Sequence, residues 1–169
     1  MKSKFILLTI FLALVINSFA QQNSKWTNWS WLIGEWKGEG SGKPGQGGGT
    51  FSFTTDLDGN ILIRKSHSEY PASASRPAVV HDDLMIVSLD FTGNPTKAIY
   101  FDNEGHTINY SITYAPKTIV LISDIIPNVP VFRLTYTSLD DQSVNTKFEM
   151  SQDGITFMTY IEGKSSKVK

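Results

Sequence analysis

Five residues carry the densest polar chemistry in the chain: His67, Glu69, His81, Asp82 and Asp83. They flank the run Tyr-Pro-Ala-Ser-Ala-Ser-Arg-Pro-Ala-Val at 70–79. Residues two apart on a strand share a face, so His67 goes with Glu69 and His81 with Asp83. If the two strands pair closely, two imidazoles and two carboxylates converge. Such a set binds zinc, which takes three protein ligands in an open catalytic site, or orients a general base. The competing reading is a group of solvated side chains at strand ends beside a loop. Arg64 and Arg133 also lie inside strand-like runs. An arginine turned into a cavity clamps a carboxylate through two parallel hydrogen bonds, whereas an outward one is simply hydrated. If Phe132, Leu134 and Tyr136 face inward, Arg133 faces out.

Other motifs lack the context their chemistry requires. Gly40-Ser41-Gly42-Lys43-Pro44-Gly45 has the G-x-G-x-x-G spacing, but no helix follows to receive a pyrophosphate. Asp56-Leu57-Asp58-Gly59-Asn60 places its glycine fourth, where a calcium loop needs it sixth, so a plain β-turn is expected. No cysteine and no Gly-x-Ser-x-Gly elbow supply a nucleophile. No catalytic or metal-ligating residue is assigned, and a non-enzymatic role is favoured.

The elements that must position these residues are strands. Turn signals recur at 58–60, 92–95, 102–105, 115–117, 140–142 and 152–154, built from Asn, Asp, Gly and Pro. Between them lie runs rich in Ile, Val, Thr, Phe and Tyr. About ten strands are expected, near 33–39, 49–56, 60–69, 80–90, 97–102, 106–114, 118–125, 131–138, 143–151 and 154–162, on the spacing rule for all-β chains. Ile108, Tyr110, Ile112 and Tyr114 alternate with Thr107, Asn109, Ser111 and Thr113, which marks one dry and one wet face. Short hairpins in series favour an antiparallel up-and-down β-barrel, in which closure removes exposed edges. A short helical turn over Trp26–Leu32 precedes the first strand. Two connections are long: 38–49, with seven of the chain's thirteen glycines, and 70–79. Long loops in compact domains are disproportionately functional.

The N-terminus reads as a targeting segment. Lys2 and Lys4 precede the apolar run Phe5–Ile16, and Ser18-Phe19-Ala20 supplies small residues at the exit. This is the pattern of a signal peptide over residues 1–20, and the run is too short to span a bilayer. Its removal leaves 149 residues, enough for one domain with its own core. A single barrel is expected over 21–162, with 163–169 as a polar tail. The segment carries two lysines and no acid, so its loss takes the net charge from −1 to −3. That balance gives no electrostatic case for nucleic acid. A cysteine-free exported domain points to a bacterial periplasmic or secreted protein.

The run Trp31-Leu32-Ile33-Gly34-Glu35-Trp36-Lys37-Gly38-Glu39-Gly40 is the most specific feature. It resembles the opening of calycin-type barrels: lipocalins share Gly-x-Trp, here Gly34-Glu35-Trp36, and the extended form through Gly38 is similar to nitrobindin-like haem barrels. The resemblance implies a Trp plugging one end of a barrel, and a cavity for a small apolar or amphipathic molecule. Nitrobindin-like barrels hold haem on a histidine near the C-terminus; the stretch Phe157–Glu162 has none, so haem is not expected and the cofactor is left unassigned. Candidate ligand contacts are His67, Glu69, His81, Asp83, Arg133 and Tyr160. The alternatives are an enzyme or metal site on the His67/Glu69/His81/Asp83 set, and an envelope interaction module with a filled core and no ligand.

Overall fold

The computed structural model describes residues 25–40, 48–72 and 77–168. The expected signal segment and most of the glycine-rich loop, with its G-x-G-x-x-G spacing, lie outside these residues. A 3-10 turn, Thr27–Trp29, leads into ten strands: β1 Gly34–Gly38, β2 Gly48–Asp56, β3 Ile61–Tyr70, β4 Val79–Leu89, β5 Pro95–Asp102, β6 Thr107–Ala115, β7 Thr118–Ser123, β8 Val131–Asp140, β9 Ser143–Ser151 and β10 Met158–Lys167. Each strand pairs antiparallel with its sequence neighbours, and β10 returns to β1. The result is the closed up-and-down barrel that the alternation implied.

Alternation decides what fills it. On β6, Tyr110 and Ile112 are buried while Thr107, Asn109 and Thr113 are exposed. On β8, Leu134 and Tyr136 are buried, which puts Phe132 inward and Arg133 outward. One end of the barrel is plugged by aromatic rings. Trp36 stacks on Phe51 at 6.1 Å, Trp29 lies 5.6 Å from Phe53, and Phe53 meets Tyr136 edge-on at 5.4 Å. Each buried indole N–H has an acceptor: Trp26 donates to Gly59 O, Trp29 to Tyr114 Oη and Trp36 to Leu32 O. A buried indole left unpaired would be destabilising. The Gly-x-Trp element therefore forms the plug, as expected. Gly34 sits at φ +127°, and a Cβ there would stand 3.1 Å from Lys167 Cε; a side chain would be strained in both respects. Gly38 ends β1 opposite Ser165.

The plugged end carries tight turns. Asp56–Asn60 is a plain turn, with Gly59 N–H and Asn60 N–H both donating to Asp56 O. The opposite end carries the longest connections, with one short turn at 103–106 among them.

The last strand departs from expectation. It begins at Met158 rather than near 154, because Asp153 ties down the preceding loop by accepting from Ser151 Oγ, Ile155 N–H and Thr156 N–H. It then runs through the residues expected to be a polar tail. Ser165 is buried, and Trp36, Lys37 and Gly38 pair with Lys167, Ser166 and Ser165. Main-chain pairing needs no apolar side chain, so composition concealed this half of the strand. Truncation after Glu162 is therefore expected to remove the closing seam and abolish cooperative unfolding. Thermal denaturation followed by circular dichroism checks this; an unchanged transition would show that the seam is dispensable.

Candidate functional site

The register between β3 and β4 sorts the polar residues. His67 lies opposite Asp82, Ser68 opposite His81, and Ser66 opposite Asp83. Leu62 and Arg64 are buried on β3, and Met85 and Val87 on β4. By the two-residue period, His81 and Asp83 share the inner face with Arg64. His67, Glu69 and Asp82 share the outer face. The expected convergence of His67, Glu69, His81 and Asp83 is thus overturned: the pairs within each strand hold, but they project to opposite sides of one sheet. Among the described residues, no group of three or more acidic, His or Cys side chains is arranged to hold a metal ion.

On the outer face, His67 sits between two carboxylates, with Nδ1 2.6 Å from Asp82 Oδ1 and Nε2 3.1 Å from Glu69 Oε1. The hydrogen bond to Asp82, then that to Glu69, raises its pKa above the ordinary histidine value. This cluster borders a groove of about 750 Å³ lined by outward residues, including Lys65, Leu84 and Phe101, together with Trp36, Phe51 and Asp83 from the inner-face set.

On the inner face, the Arg64 guanidinium forms an ion pair with Asp83, their side chains 10% and 6% exposed. His81 Nε2 lies 3.0 Å from Tyr100 Oη and 3.7 Å from Asp83 Oδ2. His81 Nδ1 is 3.1 Å from Glu104 Oε1, and since a carboxylate only accepts, that nitrogen carries the proton. Tyr100 also reaches Asp102 Oδ2 at 3.3 Å. Asp102 accepts from the main-chain N–H groups of Glu104 and His106 and from His106 Nδ1 at 2.8 Å. Burial alone would raise the Asp102 pKa, but these hydrogen bonds outweigh it and lower it. Desolvation pushes Tyr136 up to about 12 and raises Tyr100 and Tyr110 as well. All three phenols therefore stay protonated at neutral pH.

The other candidates fall outside this group. Arg133 is outward, donating from Nε to Glu149 Oε2 at 2.6 Å, with its guanidinium 3.9 Å from the Phe157 ring centre. Lys147 Nζ lies 3.2 Å from Glu149 Oε1. Held this way on the surface, Arg133 cannot clamp a ligand inside. Tyr160 stands at the bulge between Thr159 and Ile161, 64% exposed, with its ring edge-on to Phe148 at 6.2 Å. Tyr100, Asp102 and Tyr136 join the inner group without having been singled out. For Tyr136 the signal was alternation, two along from the inward Leu134; Tyr100 and Asp102 follow the buried Ala98 on β5, which the register sets opposite Tyr110.

No protein-family model matches the chain, and no curated protein matches it. Among solved structures it is similar to Rv2717c from M. tuberculosis, with a TM-score of 0.57 and 13% identity, over 86% of this chain and 98% of that one. Identity that low speaks to the fold alone.

Two outcomes follow from the inner network. Asp83→Asn leaves the Arg64 charge uncompensated and is expected to destabilise the protein by ~3–5 kcal/mol, whereas Arg64→Gln/Asp83→Asn loses much less; urea denaturation compares them. The lowered Asp102 pKa contributes stability that is full above the ordinary aspartate range and is lost as pH falls through the lowered value. Asp102→Asn should thus be weaker than wild type at neutral pH, and the gap should close in acid. A gap independent of pH would exclude this account.

Proposed function

We propose that this protein is an exported, lipocalin-like carrier that holds a small apolar or amphipathic molecule inside its barrel, without catalysing a reaction. The observation that carries this reading is the contrast between the two ends. At the plugged end the inward side chains Trp29, Trp36, Phe53 and Leu62 are essentially inaccessible. Toward the other end the inward residues Tyr100, Ile108, Phe132 and Phe148 remain part-exposed. Phe132 and Phe148 stack at 5.7 Å with 13° between their planes, and Tyr160 closes on the second ring. A mouth with aromatic walls and a few polar groups deeper inside suits a small-molecule site. Its rim carries the longer connections, 124–130 and 152–157 among them.

Export to a bacterial periplasm or beyond is part of the proposal. It rests on the basic–apolar–small pattern of residues 1–20. Among the described residues no helix is long and apolar enough to cross a membrane. Gly34-Glu35-Trp36 and the plug it builds support the lipocalin-like assignment; fold alone does not fix what is bound.

A second reading is an interaction module. The outer groove favours it, since Phe101 is 39% exposed there, and exposed apolar surface marks contact sites.

Native mass spectrometry of protein purified from its host without detergent separates the two. The carrier reading expects a stoichiometric adduct that denaturation releases. It also expects the protein to bind the neutral dye Nile red, with Phe148→Asp weakening the dye by ~tenfold or more, a loss of about 1.4 kcal/mol, and His67→Ala leaving it unchanged. A bare polypeptide that also ignores the dye would leave the interaction module.

A further inference from the structure

Arg64 reaches deepest into the barrel of the polar groups on β3 and β4, at 8% exposure. An unpaired guanidinium there would be the natural clamp for a ligand carboxylate. It is not unpaired, because Asp83 on the adjacent strand already balances its charge. A ligand carboxylate entering this group would face Asp83 as a like charge in a poorly hydrated interior, where charges repel strongly.

The same group nevertheless offers hydrogen-bond donors. Arg64 Nε and the Tyr136 hydroxyl, like Thr146 Oγ1, are buried and have no hydrogen-bond partner among the described residues. Both flank one ring: the Arg64 guanidinium carbon lies 5.5 Å from the Phe51 ring centre, and the Tyr136 ring lies 6.3 Å from it. Burial keeps the Tyr136 phenol protonated at neutral pH, so it remains a donor. Buried donors without acceptors are uncommon in folded proteins, and each calls for an explanation. The explanation that fits is an acceptor brought by the ligand, polar enough to take these protons and carrying no charge.

We propose that the Arg64–Asp83–Tyr136 group selects an uncharged acceptor, a carbonyl or ether oxygen on an apolar body, and disfavours free carboxylates. The ligand class is then ketones, esters or quinones rather than fatty acids. This rests on the carrier reading and narrows it. Selectivity comes from Asp83: it removes from Arg64 the net charge that would otherwise attract an anion.

The test displaces Nile red from the protein at neutral pH with 2-tridecanone or with dodecanoate, two ligands of matched apolar length. The ketone is expected to bind at least ~tenfold more tightly. Asp83→Asn should reverse the order, because Arg64 then carries unbalanced charge, and Arg64→Gln/Asp83→Asn should restore preference for the ketone. Dodecanoate binding the wild type as well as or better than the ketone overturns the proposal while leaving the carrier reading standing. An unchanged preference in a folded Asp83→Asn variant overturns it too. Should that variant not fold, the wild-type comparison decides alone. Failure of Nile red and both ligands to bind the wild type removes the carrier reading and this one with it.

Discussion

Closure is the constraint on which everything else rests. Ten strands leave two edges unless the first and last meet, and an unpaired edge invites pairing with other chains. Here the meeting is brief. β1 is the shortest strand, and it pairs with β10 at Trp36, Lys37 and Gly38. Two further main-chain bonds extend the seam, from Glu39 N–H to Lys164 O and from Val168 N–H to Glu35 O. Side chains reinforce it. Lys167 Nζ lies 5.3 Å from the Trp36 ring centre, and Ser166 Oγ donates to Glu39 Oε1 at 2.5 Å. The residue that plugs the barrel is thus also a residue that closes it. Loss of the plug and loss of the seam should be hard to separate.

Given closure, the interior has a fixed inventory, and the aromatic rings of the plug occupy one end of it. Placing an arginine among them is unfavourable unless its charge is met. The antiparallel register meets it, setting Asp83 beside Ser66, one step from Arg64 on the same face. Beyond Asp83 the network widens toward solvent through His81, Tyr100, Asp102 and Glu104. The polar interior is therefore graded, dry and charge-balanced at depth and increasingly hydrated toward the rim. A packed apolar core would need no such gradient, and the carrier proposed above would give it a use.

Much of the architecture was legible in the residues. The strand runs and the turns at Asp58-Gly59 and Asp102–Gly105 follow from local chemistry, and the plug at Gly34–Trp36 was implied by resemblance to the opening of lipocalin barrels. The inward setting of Ile108, Tyr110, Ile112 and Tyr114 follows from alternation. What escaped depended on pairing between strands. Whether His67 and His81 share a face turns on a register that shifts by one residue without any change in composition. Arg64 and Arg133 look alike in sequence; only the parity set by Leu62 and by Tyr136 sends one inward and the other to Glu149. The strand at 163–167 was hidden for another reason: it is recruited by an edge far away in the chain, and Gly-Lys-Ser-Ser-Lys carries no sign of that edge.

The two rims of the barrel divide the chain's freedom to change. Around the plug, the turns at 57–60, 116–117 and 141–142 are minimal, and Leu57, Asp58 and Lys117 already hold positive φ. An added residue there would shift register across a strand pair. Around the mouth, the connections at 124–130 and 152–157 are longer, and they meet no such limit. Evolution could therefore lengthen, shorten or reshape the mouth without disturbing closure. On this scaffold, divergence in loop length and sequence would accumulate at one rim, while the other would record descent.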